Sequence, residues 1–137
     1  MICEASKRKL TIMFDLHGVA NRMPELVKPM MKTFKACGHK VIICSGPTTN
    51  KILDELYHLG YESGKHYDNV VSVVDYLADV KHIKFEYDEK GDPWTDDETW
   101  FKSKGWIAKS ICADIVIDDS KGYKDNMPVN VAFWLWS

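Results

Sequence analysis

Three short apolar runs, each stopped abruptly by a polar residue, restrict this chain more than any other feature. Thr11 to Val19 reads T-I-M-F-D-L-H-G-V, Val41 to Gly46 reads V-I-I-C-S-G, and Ile115 to Ser120 reads I-V-I-D-D-S. Runs that are apolar at every position, rather than at alternate ones, suit strands buried on both faces, as in parallel sheets. Stretches with helical spacing lie between them. Strands alternating with helices predict a mainly parallel sheet covered on both sides, a three-layer α/β/α Rossmann-like domain. Sheets of this kind place their ligand sites outside the carboxyl ends of the strands. Asp15, Ser45 and the pair Asp118–Asp119 would therefore share one polar edge.

The expected first strand is Leu10 to Leu16. A helix follows with Leu26, Met30, Phe34 and Cys37 on one face. Pro24 suits a first helical position, whereas Pro29 would remove an interior backbone bond. The helix is thus either kinked or begins near Pro29, and Gly38 is its stop. Lys40 to Cys44 reads as the second strand. Pro47 to Asn50 opens a helix with Ile52, Leu53, Leu56 and Leu59 as its buried stripe, ended by Gly60. Val70 to Val74 reads as a third strand and Asp75 to Val80 as a helical turn. Ile83 to Asp88, the turn cluster Lys90 to Pro93 and the residues to Asp96 suggest a small β-hairpin excursion. Thr95 to Cys112 reads as a helix carrying Trp100, Trp106, Ile107 and Ile111. Ile115 to Ile117 and Val129 to Trp136 complete the strands.

The 137 residues suit one domain, 1–137, able to bury a core without disulfides. A net charge of −2 with no long basic run argues against general electrostatic attraction to nucleic acid or membrane. No stretch reaches the roughly 20 apolar residues needed to span a bilayer. Met1 to Lys9 lacks an apolar signal core, which favours a cytoplasmic protein. Cys3, Cys37, Cys44 and Cys112 form no C-x-x-C pair, which argues against structural zinc and for reduced thiols.

The ordered set of strand ends resembles the haloacid dehalogenase-like superfamily of phosphohydrolases. That family's pattern is an apolar strand ending D-x-D-G-[TV], a second strand ending in Ser or Thr, a lysine, and a later strand ending in acids. The matches here are Asp15 with Gly18 and Val19, Ser45, a lysine near Lys104, and Asp118 with Asp119. They cover almost the whole chain in order. The resemblance implies that Asp15 is a nucleophile forming an aspartyl-phosphate. It implies that Ser45, the Gly46 amide and Lys104 (with Lys102 as the alternative) hold phosphate. It also implies a magnesium site, or a manganese one, built by Asp15, the His17 backbone carbonyl, Asp118 and Asp119.

His17 departs from the pattern, which has a second aspartate there as acid–base. Histidine can do that work near neutral pH. Three readings stand: a phosphatase using His17, a slow phosphatase, or a phosphate- and metal-binding module without turnover. A flavodoxin- or receiver-like domain would also use strand-end acids, but receivers place an acidic pair after the first strand. No segment has room for a full cap domain, so the site is expected to be open, for a bulky substrate or for closure by a partner subunit. Tyr67, Tyr87, Trp94 and Trp100 are candidates to flank it. The expected partner is a phosphorylated small molecule or nucleotide, with a nucleic-acid end and a homo-oligomer as further options.

Overall fold

The computed structural model describes residues 8–136. In chain order the elements are β1 (Thr11–Phe14), α1 (Pro24–Ala36), β2 (Lys40–Ser45), α2 (Thr49–His58), β3 (Asn69–Ser72), α3 (Val73–Asp79), β4 (Glu86–Tyr87), β5 (Pro93–Trp94), α4 (Asp97–Ser110), β6 (Ile115–Asp118), α5 (Lys121–Lys124) and β7 (Ala132–Leu135). Five strands form one parallel sheet in the order β3-β2-β1-β6-β7. Helices cover both faces, as the unbroken apolar runs require, and among the described residues there is no large cap.

Side-chain alternation divides the interior into two cores. Ile12, Phe14, Val41, Ile43 and Ile117 pack with Val27 and Met31 of α1 and Ile52 and Leu56 of α2. Met13, Ile42, Cys44 and Val116 point the other way, onto Leu77 of α3 and Ile107 and Ala108 of α4. Phe14 stands opposite Ile43 on one side and Ile117 on the other. This register levels the carboxyl ends of β1, β2 and β6. Chain order reverses across β1, with β2 on one flank and β6 on the other, so the crevice opens there.

Several local expectations shift. α1 begins at Pro24 and runs through Pro29, whose ring lies on the exposed side. Its buried line is Val27 and Met31, flanked by Met30 and Phe34, while Leu26 is exposed. Leu53 of α2 is exposed too. Val73 and Val74 belong to α3 rather than to the third strand. Ser72 stops the strand because its Oγ accepts the Asp75 N–H at 3.0 Å and caps the helix. The hairpin is confirmed in place but pairs only Glu86–Tyr87 with Pro93–Trp94. Its turn is tied by Asp88 Oδ1, which accepts the N–H groups of Lys90 and Asp92 at 2.9 Å each. α4 starts after Asp96, whose Oδ2 accepts the Thr99 N–H. The short helix α5 has no counterpart in the expected order.

Cys44 and Cys112 are free thiols, but Cys37 is disulfide-bonded, against the reading of reduced thiols. Cys3 and the charged stretch before Arg8 lie outside the described residues. Among the described residues no helix is long and apolar enough to cross a membrane.

Candidate functional site

Asp15 follows β1 directly, and its backbone N–H donates to the Ile117 carbonyl of β6 at 2.9 Å. The carboxylate is thereby fixed at the seam between the two strands. Asp118 ends β6, and Ser45 ends β2. All three are buried, Asp118 and Ser45 to 1% exposure and Asp15 to 7%. Lys104 reaches in from α4, itself only 2% exposed. Its Nζ donates to Asp15 Oδ1 at 2.9 Å and to Asp118 Oδ2 at 2.5 Å. The Tyr123 ring of α5 lies 4.6 Å from the same Nζ. Lys102 points elsewhere, pairing with Glu98 at 2.7 Å.

Two further backbone donors hold these carboxylates. Asp15 Oδ1 accepts the Leu16 N–H, and Asp118 Oδ1 accepts the Ser120 N–H, each at 2.9 Å. Asp15 Oδ2 has no protein donor among the described residues. Asp119 projects from the β6 end over the turn after β1. Gly18 stands beneath it at φ +89°, and a Cβ there would collide with the Asp119 carboxylate. Glycine is needed twice over, for the positive φ and for the close approach. One carboxylate oxygen from each of Asp15, Asp118 and Asp119 lies within 4.8 Å of the others.

Electrostatics follow from burial. Desolvation pushes Asp15 up from an ordinary 3.8 to about 6, with the Asp118 and Asp119 charges adding to the rise and Lys104 opposing it. Burial alone would lower Lys104, but Asp15 and Asp118 outweigh it and hold the ammonium charged well above its usual range. Three carboxylates against one ammonium leave a net charge of −2 when all are ionised. Hard oxygen donors with that surplus could hold a metal ion. The Ser45 hydroxyl is buried with no hydrogen-bond partner among the described residues. An orphaned buried donor costs about 1–3 kcal/mol, and it lines the same cavity of about 300 Å³ as Asp15, Gly46, Lys104 and Asp118. An anion with free oxygen acceptors would satisfy it.

His17 stands at the cavity mouth with its side chain about half exposed. Its Nε2 lies 2.6 Å from Glu55 Oε2 of α2. Glu55 and Tyr123 are site residues that the strand-end pattern does not reveal. Each comes from a helix face that folding brings to the crevice, with no local motif to mark it. Of the aromatic candidates, only Trp100 lines the cavity. Tyr67 is buried in the first core, and Tyr87 and Trp94 are exposed on the hairpin. A larger cavity of about 470 Å³ lies between α1 and the Lys65–His66 loop. Its Lys28 sits over the Tyr61 ring and its Lys65 pairs with Glu62, and among the described residues no buried side-chain donor or acceptor lining it lacks a partner. No protein-family model matches the chain, and no curated protein matches it in sequence.

Proposed function

We propose that the chain is a metal-dependent phosphomonoesterase of the haloacid dehalogenase-like type, working through an aspartyl-phosphate on Asp15. The observation that carries this reading is the buried triad of Asp15, Lys104 and Asp118 facing an unpartnered Ser45 hydroxyl. A structural ion pair has no use for an unsatisfied donor beside it, whereas a phosphate site does. Lys104 holds Oδ1 of Asp15 and leaves Oδ2 to attack phosphorus. Ser45 Oγ and the Gly46 amide donate to phosphate oxygens. A divalent cation, magnesium or manganese, held by Asp15, Asp118, Asp119 and the His17 carbonyl, supplies the positive charge that offsets carboxylate–phosphate repulsion.

His17 is the acid–base. With Glu55 accepting from Nε2–H, the neutral ring keeps its basic lone pair on Nδ1. In the acid role the ring starts as the imidazolium, and its Nδ1–H gives a proton to the leaving oxygen as the bond to phosphorus breaks, leaving the neutral ring. A water then attacks the aspartyl-phosphate, Nδ1 takes the water's proton, and phosphate leaves with the Asp15 carboxylate restored. Magnitudes favour keeping this role, because general acid–base help is worth about 10²- to 10⁴-fold. The reading without turnover draws on one observation, that the His17 ring is half exposed and tied to Glu55 rather than to the buried triad.

Hydrolysis of a generic phosphate monoester with Mg, Mn or no metal decides between them. Wild type should turn over only with metal, and Asp15→Asn should lose about 10³-fold or more. Silence in wild type with activity gained in His17→Asp would instead establish a binding module.

A further inference from the structure

A second cavity, of about 380 Å³, opens beside the strand-end site and shares His17, Gly46 and Trp100 with it. Its own walls are Pro47, Thr48 and Lys51 at the start of α2, Val74 of α3, and Asp92 and Pro93 of the hairpin. This volume lies within the range of small-molecule pockets. The hairpin thus acts as a wall of this cavity rather than as a free excursion.

The lining combines two kinds of surface. Trp100, Pro47, Pro93 and Val74 supply flat or apolar faces, and the Trp100 ring edge lies close enough to Gly46 that a Cβ there would stand 3.1 Å from Cζ2. Lys51 lies on one wall and Asp92 on the hairpin, and neither side chain enters an ion pair among the described residues. The Thr48 hydroxyl makes no cap bond to its helix. The cavity therefore offers a donor cation, an acceptor carboxylate and a hydroxyl around an aromatic face.

We propose that this cavity is the leaving-group subsite and that it takes a nucleoside, so that the substrate is a mononucleotide. The proposal rests on the phosphomonoesterase reading above. His17, Gly46 and Trp100 line both cavities, so a phosphate held at Ser45 and the Gly46 amide would place its leaving group in this adjoining one. A nucleobase stacks on an indole face, a contact worth roughly 5- to 150-fold in affinity for each stacked base. Its ring carbonyls and amines, with the sugar hydroxyls, match Lys51, Thr48 and Asp92. A simple polyol phosphate could reach the same polar groups but would leave the apolar faces of Trp100, Pro47 and Pro93 uncovered.

The test separates binding from turnover. Equilibrium dialysis of the four common ribonucleosides against the full chain, with ribose as control, reads the subsite without any reaction. At least one nucleoside should bind saturably and ribose should not. Lys51→Glu and Trp100→Ala should each weaken that binding about ten-fold. Lys51 is exposed on α2, so that variant keeps the test valid if Trp100→Ala fails to fold. Absence of nucleoside binding in wild type, or binding unchanged in Lys51→Glu, overturns the proposal. In parallel, the ratio of kcat/KM for a nucleoside monophosphate over glycerol phosphate should exceed about ten and fall in Lys51→Glu. Nucleoside binding without hydrolysis of any ester upholds the subsite and refutes the phosphatase reading. Hydrolysis with a ratio near one, or a preference for a phosphorylated oligonucleotide end with no nucleoside binding, upholds the phosphatase and refutes the subsite.

Discussion

Lys104 is the side chain whose removal should be felt most sharply. It is the only cation hydrogen-bonded to Asp15 and Asp118 among the described residues. Breaking a buried ion pair from one side costs about 3–5 kcal/mol because a charge is left without compensation. Lys104→Met should lower the melting temperature at pH 7, and millimolar magnesium should recover part of the loss if the acids bind it. Asp15 gives a pH signature of its own. Its folded pKa of about 6 lies above its ordinary 3.8, so the native state holds the extra proton between those values. The stability that Asp15 contributes therefore falls as pH rises through that window. In metal-free protein, the melting temperature of wild type minus that of Asp15→Asn should decrease from pH 4 to pH 6. Lys104 was legible only through the family resemblance, with Lys102 as the alternative, whereas its two acidic partners were legible in the sequence itself. A strand buried on both faces tolerates acid only where it ends, so Asp15 and Asp118 announce themselves. Glu55 and Tyr123 were illegible because nothing local distinguishes a helix residue turned toward a crevice from one turned toward water.

At the scale of elements, close approach rather than propensity decides the packing of α4. Gly105 sits in mid-helix, where alanine would gain about 1 kcal/mol in propensity. A Cβ there would collide with the Asn126 carbonyl oxygen in the segment after α5. Backbone yields less readily than a side chain, and overpacking costs about 1–3 kcal/mol. Gly105→Ala should thus lose stability on balance, by up to about 2 kcal/mol in denaturant titration, and should reduce any turnover by displacing the neighbouring Lys104. Ser72→Ala should cost about 1 kcal/mol through the lost cap of α3, read in the same titration. Element type was legible wherever apolar spacing was regular, as in α1, α2 and β2. Fine placement was not. In α1 the helix turns so that Val27 and Met31 meet the sheet and Leu26 faces outward, a choice made by docking angle. At Val73, β-branched composition favours a strand, and the Ser72 cap overrules it.

The whole molecule is a central sheet with one lightly attached feature. β1 is hydrogen-bonded on both edges and packed on both faces, whereas β4 and β5 share a two-residue ladder outside the main sheet. Local opening should follow that contrast. Amide hydrogen exchange should be slowest in β1, β2 and β6 and fastest in Glu86–Trp94, and a nucleoside bound against Asp92 and Pro93 should slow the latter. The central position of β1 also has a consequence during synthesis. Thr11 binds Asp114 across 103 residues of chain, and one whole edge of β1 waits for the strand that follows Asp114. At translation speeds of about 5–20 residues per second, that edge stands open for roughly 5–20 seconds on the ribosome. Until β6 emerges, the nascent chain carries its first strand half paired and its acids unassembled, so the pace at which the ribosome covers that distance sets how long the chain is exposed to aggregation.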